Sequence, residues 1–350
     1  MPVSTNISST RFGHADHQIP SSQFQVPVIR PVRYRDLQAI TSLHRVSASD
    51  TLEWPSGSQP QSWPSRQGTL VASLLPARSA HTYVLEEGGQ IFGFIQVRPR
   101  SSYDKWDIIR LVATGDHPAD VWGRLLEYVC VAAGNRRATK LFANVPEDAE
   151  ELEIFRQIGF YRFTTEESLG LPSSERAPVP ALPPALRAAE SHDAFNILQL
   201  YSAVTPRNVQ QAEGLTSRDF IQPTGGMTGL LHRFGLAQES SETVWSWVAE
   251  EDGRLFAWIR LRWREGRCRM SFLIHPDKRA ALPELRDYVV GLARANRPTI
   301  LSVAVREYQQ EMTPVFEEIG FKPTGRYLLL VKHIAVQVME RRLTPVLTRA

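Results

Sequence analysis

The stretch EEGGQIFGFIQVRPR at residues 86–100 returns at residues 250–264 as EEDGRLFAWIRLRWR. Seven of the fifteen positions are identical, and most of the others exchange similar residues. Each copy carries a Gly-Gly or Asp-Gly pair between two strand-like runs, which is a strong signal for a β-hairpin. Self-similarity at an offset of 164 residues indicates one structural unit used twice.

Further matches occur in the same order along both halves, at offsets of 157 to 161 residues. They pair Ile29-Arg30 with Leu186-Arg187, His117-Pro118 with His275-Pro276, Leu125 with Leu285, and Ile158-Gly159-Phe160 with Ile319-Gly320-Phe321. We therefore predict two domains, at 27–168 and 185–343. A stiff proline-rich linker at 169–184 joins them, and a disordered polar arm at 1–26 precedes them.

Composition narrows the class of protein. The 350 residues have 42% hydrophobic content, which is typical of a globular protein, and their net charge of +3 is too weak to indicate nucleic acid as the partner by itself. Two cysteines, Cys130 and Cys268, allow no disulfide framework, so a reducing cytoplasm is expected. Apolar runs stay below the ~18 residues of a membrane span, and metal-ligand spacing is absent from the sequence.

Each unit reads as a strand and a helix, then a hairpin and a third strand, then helix, strand, short helix and strand. Gly159 and Gly320 stand where a left-handed helix cap needs them. This order predicts an α/β fold with a mixed sheet flanked by helices.

The element order, the IRPVRYRDLQAI opening and the VFEEIGFKPTGRY ending resemble the GNAT superfamily of N-acetyltransferases. The resemblance covers nearly all of both halves. It implies acetyl-CoA as co-substrate, held in a splay between two central strands. Its pyrophosphate would lie on backbone N–H groups at the start of the long helix, where the helix dipole favours an anion.

The phosphate loops depart from the family's glycine-rich pattern. The first copy, HPADVWGRLLEYV, offers Gly123 and Arg124, and the second, HPDKRAALPELRDYV, offers residues 278–282. The candidate cofactor-binding residues are therefore Gly123 and Arg124, together with Lys278, Arg279, Ala280, Ala281 and Leu282. The positive charge of Lys278 and Arg279 favours the second copy as the one that binds the cofactor.

The resemblance also guides the search for catalytic residues. The tyrosine that many members use to protonate the CoA thiolate is replaced by Phe155 and Phe316. Asp107, on the strand before the long helix, is the candidate general base, and an exposed acid is the alternative. His117 and His275 are candidate acids or bases, and polar turn residues ahead of proline are the alternative.

Two further patterns in the sequence each have two interpretations. Arg260, Arg262, Arg264, Arg267 and Arg269 fall on one predicted sheet face, where they would grip phosphate or lie solvated. Six tryptophans fall in or beside the variable stretches and hairpins: Trp54, Trp63, Trp245, Trp247, Trp258 and Trp263. They would either form the walls of a cleft for the acceptor substrate or pack in the core.

The sequence thus predicts an acetyl-CoA-dependent N-acetyltransferase that acts directly on a small amine. The alternative is an inactive relative that binds a ligand or a protein partner, and a nucleic-acid binder is a third hypothesis. The sequence is compatible with assembly into a homo-oligomer.

Overall fold

Both copies fold in the same order of elements. The computed structural model describes residues 27–46, 80–100, 104–172, 179–220, 243–264 and 266–335. The first copy contains strands β1 (Val28–Pro31), β2 (His81–Glu87), β3 (Gln90–Pro99), β4 (Lys105–Ala113), β5 (Lys140–Pro146) and β6 (Tyr161–Pro172). Its helices are α1 (Leu37–Val46), α2 (Pro118–Asn135) and α3 (Leu152–Gln157).

The second copy repeats this order of strands and long helices, with two short helices before its hairpin. Its strands are β7 (Leu186–Ala188), β8 (Thr243–Glu251), β9 (Arg254–Arg264), β10 (Arg267–Ile274), β11 (Ile300–Arg306) and β12 (Lys322–His333). Its helices are α4 (Ala194–Val204), α5 (Arg207–Glu213), α6 (Ser217–Phe220), α7 (Leu282–Ala295) and α8 (Thr313–Glu317). Four 3₁₀ turns complete the set, at Tyr34–Asp36, Ser191–Asp193, Pro276–Ala281 and Glu307–Met312.

Within the described residues, the twelve strands belong to one sheet, and the copies exchange strands at its centre. The order is β1-β2-β3-β4-β5-β12-β6-β11-β10-β9-β8-β7. Strand β12 of the second copy lies between β5 and β6 of the first, and β6 in turn pairs with β11. Residues 169–172, in the stretch predicted as linker, are the end of β6. The predicted mixed α/β fold is confirmed.

The predicted hairpins form with the expected turn geometry. Gly88 and Gly89 have φ values of 60° and 81°, and Asp252 and Gly253 have values of 50° and 74°. Positive φ at both central residues matches the right-handed twist of the flanking strands, which is why Gly-Gly and Asp-Gly are favoured there.

A repeated ion-pair network ties the first strand of each copy to its hairpin. In the second copy, Arg187 donates to Asp193 at 2.7 and 2.8 Å and to Glu250 at 3.0 Å. The Asp193 side chain is fully buried and also accepts from the Glu190 backbone at 2.8 Å. The first copy has the same network in Arg30, Asp36 and Glu86.

Each copy packs its long helix on one face of the sheet. Leu125, Leu126 and Val129 of α2 are fully buried against the first-copy strands. Leu285 and Val289 of α7 fill the equivalent positions in the second copy. The spacing of three and four residues places these side chains on one helix face, as the sequence predicts. Within the described ranges, no helix is both long and apolar enough to cross a membrane.

Candidate functional site

The parallel strand pair at the centre of each copy separates partway along its length. Strands β4 and β5 are paired only from Lys105–Asp107 to Lys140–Phe142. Strands β10 and β11 are paired only from Arg267–Met270 to Ile300–Val303. Beyond these points the strands diverge toward their carboxyl ends, where the long helices begin. Each copy therefore contains a gap between two parallel strands, as the resemblance to the GNAT superfamily implies. This gap, called the wedge, lies between β4 and β5 in the first copy and between β10 and β11 in the second.

The wedge of the second copy opens into a cleft at its mouth. The empty space at this cleft is about 390 Å³ when the adjoining open solvent is counted with it. One wall comes from the end of β10 and the turn before α7, and the other comes from the 3₁₀ turn after β11. Its lining includes Ile274, Pro276, Arg279, Tyr308, Gln309 and Glu311.

The predicted phosphate-binding residues of the second copy lie together at this mouth. Arg279 lines the cleft and forms an ion pair with Glu311, with Nη2 and Oε1 2.8 Å apart. Lys278 pairs with Glu251 at the end of strand β8. Ala280 and Ala281 complete the 3₁₀ turn, and the buried Leu282 begins α7 and also lines the cleft. Both basic side chains are about half exposed, so a ligand can reach them.

The backbone at this mouth differs from a plain helix start. A 3₁₀ turn precedes α7, and the Lys278 amide already donates to the His275 carbonyl at 2.9 Å. His275 accepts from the Asp277 amide through Nδ1 at 3.3 Å. Because these amides bond within the turn, an anion here would depend more on side-chain charge than on backbone donors.

The first-copy candidates lie away from a comparable anion site. Gly123 and Arg124 are in the second turn of α2, not at its start. A Cβ at Gly123 would lie 3.9 Å from Cγ2 of Ile154, so this glycine faces helix α3. Asp116 precedes the helix and Asp120 lies in its first turn, and both carboxylates repel an anion there.

Asp107 is a buried ion-pair partner at the point where β4 and β5 separate. It accepts from Arg100 at 2.7 and 3.0 Å, and the Arg100 guanidinium lies 3.8 Å from the centre of the Phe142 ring. In the structure, Oδ1 of Asp107 is therefore engaged in an ion pair with Arg100. His117, the other first-copy candidate, precedes α2 and makes no side-chain cap to the helix.

Phe155 and Phe316 are core residues. Both side chains are fully buried, and each packs edge-to-face on the phenylalanine that follows the capping glycine. Neither position therefore offers a proton donor.

The sequence reasoning missed Tyr308 and Gln309, which follow β11 directly. Tyr308 lines the cleft, and burial, the largest influence on this group, raises the pKa of its phenol, so it stays protonated at neutral pH. Gln309 is buried and donates to the Phe272 carbonyl of β10 at 2.9 Å. Their position just after a buried central strand was the available signal.

The arginine-rich segment is partly neutralised. Arg269 forms a buried ion pair with Glu166 of the first copy at 2.5 Å. Arg260 lies over the Trp258 ring at 4.9 Å, and Arg267 is exposed. The side chain of Arg264 lies outside the described residues. Arg260, Arg267 and Arg269 thus lie in three different environments and do not form a uniform anion-binding face.

The tryptophans of the second hairpin pack mainly on one another. Trp245 lies 5.4 Å from Trp263 and 6.3 Å from Trp247, measured between ring centres. Trp258 is buried against Phe220 and donates to Ser246 at 2.7 Å. Trp54 and Trp63 lie outside the described residues. In the part of the chain that is described, no group of three or more His, Cys, Asp or Glu residues is arranged for a metal ion.

Solved structures share this architecture. A GCN5-related N-acetyltransferase from Sphaerobacter thermophilus matches with a TM-score of 0.58 and 13% identity, over 89% of this chain and 97% of that one. A tandem GNAT protein from the clavulanic acid biosynthesis pathway matches with a TM-score of 0.53 and 16% identity, over 89% of this chain and 100% of that one. No protein-family model and no curated protein matches the sequence. The chain therefore has the fold of the GNAT N-acetyltransferases, present twice in one continuous sheet.

Proposed function

We propose that the protein is an acyl-CoA-dependent N-acyltransferase whose co-substrate, acetyl-CoA, binds in the cleft of the second copy. The observation that carries the proposal is the separation of β10 and β11 beside a turn that bears Lys278 and Arg279. Parted strands leave a slot for an extended thioester carrier, and the two cations suit its phosphates. The acceptor would be a small amine.

For this reaction the protein has to position the two substrates and provide a route for proton transfer. The amine nitrogen attacks the thioester carbonyl carbon, the C–N bond forms, and the C–S bond breaks. The thiolate needs a proton, and the amine must lose one. Tyr308 is our candidate donor, because it lines the cleft and its raised pKa keeps the phenol protonated. Solvent would return the amine proton to the phenolate.

Calorimetry with acetyl-CoA tests the binding half of this proposal. The double variant Lys278→Ala/Arg279→Ala should weaken acetyl-CoA binding at least tenfold, on the order expected for two lost charge-assisted contacts. Arg326→Ala is a matched control, because Arg326 also forms a half-exposed ion pair, with Glu147 at 3.5 Å. Affinity unchanged in the double variant would remove Lys278 and Arg279 from the site. Loss of binding in Arg124→Ala would move the site to the first copy.

Release of the CoA thiol, measured with a panel of small amines, tests the chemical half. Tyr308→Phe should lower the turnover number by about 100-fold or more while leaving acetyl-CoA affinity unchanged. Equal turnover in Tyr308→Phe would exclude this phenol as the donor.

The second candidate function is an inactive GNAT-like protein that binds a ligand or a protein partner. Phe155 and Phe316 favour it, because neither copy keeps a tyrosine at that position, and so does the pairing of Asp107 with Arg100. Saturable acetyl-CoA binding without CoA release from any amine would support this alternative. A steep salt dependence of DNA or RNA binding would instead support a nucleic-acid binder.

A further inference from the structure

Two side-chain contacts cross the wedge of the second copy from one wall to the other. Deep in the wedge, Gln309 donates from Nε2 to the Phe272 carbonyl of β10 at 2.9 Å. At the mouth, Arg279 from the turn after β10 pairs with Glu311 from the turn after β11, at 2.8 Å. Both members of the outer pair line the cleft. The parted strands are therefore joined again by side chains at two depths.

The two contacts differ in strength because they differ in exposure. Gln309 is buried, and losing its bond would leave the Phe272 carbonyl without its side-chain donor in a dry environment. The side chains of Arg279 and Glu311 are 51% and 38% exposed, so water and salt screen their attraction. The inner contact fixes the depth of the wedge, and the outer contact can open at small cost.

The same turn carries a second, similar pair. Lys278 contacts Glu251, and both side chains are about half exposed. In the closed state, the two cations of the turn are therefore balanced by two carboxylates, and a ligand anion competes with both acids for the same groups.

We propose that the Arg279–Glu311 pair is an electrostatic latch across the mouth of the second-copy cleft, opened by an anionic ligand that takes Arg279 from Glu311. The existence of the latch is independent of the function proposed above, while its opening by the phosphates of acetyl-CoA rests on that function. Glu311 then acts as a selectivity residue, because it weakens the binding of anions that cannot displace it.

Hydrogen exchange on the full-length protein without ligand tests the latch itself. Glu311→Gln should speed exchange of the amides at 276–281 and 307–312 by about two- to fivefold, the range expected for a half-exposed ion pair. Glu147→Gln, which breaks the matched Arg326 pair, should leave both segments unchanged. High salt should speed exchange in the natural protein and have little effect in Glu311→Gln. Equal exchange in all three proteins would overturn the latch.

Calorimetry with two probes, inorganic diphosphate and acetyl-CoA, tests opening by an anion. Both probes should bind Glu311→Gln at least about threefold more tightly than the natural protein, because the competing carboxylate is gone. Arg279→Gln should abolish this gain when combined with Glu311→Gln. Acetyl-CoA binding that is equal with and without Glu311 would overturn the opening of the latch by this ligand and leave the proposed function standing. Faster exchange in Glu311→Gln without binding of either probe would overturn the proposed function and opening by an anion.

Discussion

Removal of the Glu166 carboxylate should destabilise both copies together. Glu166 lies on β6, with its side chain only 3% exposed, and pairs with Arg269 at 2.5 Å and Arg306 at 3.3 Å. Both arginines belong to the second copy, on β10 and β11, and have side chains 12% and 20% exposed. Breaking a buried pair typically costs 3–5 kcal/mol, because a charge is left uncompensated. Arg306 keeps Glu213 at 2.9 Å, so we expect about 3 kcal/mol for Glu166→Ala.

Urea unfolding followed by far-ultraviolet circular dichroism and tryptophan fluorescence measures this cost. Because β12 lies between β5 and β6, the halves share strands, and both signals should fall in one transition. Glu167→Ala is the matched control on the same strand. Glu167 is partly exposed, and its hydrogen bond from Thr313 is 3.5 Å long, so its removal should cost less than about 0.5 kcal/mol.

Two results would refute the reasoning. If Glu166→Ala costs no more than Glu167→Ala, the Glu166 contacts contribute little to holding the copies together. If fluorescence and circular dichroism give two separate transitions, the halves unfold as independent domains despite the exchanged strand.

Three further substitutions test other parts of the structure. Phe316→Tyr places a hydroxyl in a fully buried site, so it should destabilise the protein by about 1–3 kcal/mol without raising CoA release; a stable, more active variant would contradict this. The hydrogen bonds from Arg187 hold the pKa of Asp193 below its usual value, so this carboxylate stabilises the fold above about pH 4, and the stabilisation fades as pH falls. Urea midpoints should therefore drop more between neutral and acid pH in the natural protein than in Asp193→Asn. An equal drop in both proteins would count against this role of the Asp193 carboxylate. Gln309→Leu leaves the Phe272 carbonyl without its side-chain donor, so the free energy of unfolding should fall by about 1–3 kcal/mol. An unchanged free energy of unfolding would mean that water replaces the amide.

Local signals in the sequence predicted the features that depend on neighbouring residues. The hairpin turns needed only two adjacent residues that accept positive φ, and the structure places them there. Gly159 and Gly320 have φ values of 91° and 94° at the ends of their short helices, as predicted for left-handed caps. The order of elements followed from the same kind of evidence, read twice along the chain.

The exchange of strands could not be predicted in this way. The apolar pattern of a strand fixes which of its faces is buried, but it does not fix which copy supplies the neighbouring strand. Pairing of Glu166 with Arg269 depends on that exchange, so neither sequence interpretation of the arginine-rich segment, phosphate binding or a solvated face, describes this residue. Tyr308 was missed for a similar reason, because its place in the cleft depends on how β10 and β11 separate.

The two copies have diverged most in charge at the start of the long helix. In the first copy, Asp116 and Asp120 lie there, and the helix dipole offsets only part of their negative charge. In the second copy, Lys278 and Arg279 occupy the corresponding turn, with acidic partners that water can screen. An anion would have to overcome repulsion in the first copy, but would only have to displace a weak partner in the second. We therefore expect one anionic ligand per chain, bound in the second copy, and a first copy that supports the shared sheet. A stoichiometry of two acetyl-CoA molecules per chain by calorimetry would contradict this division.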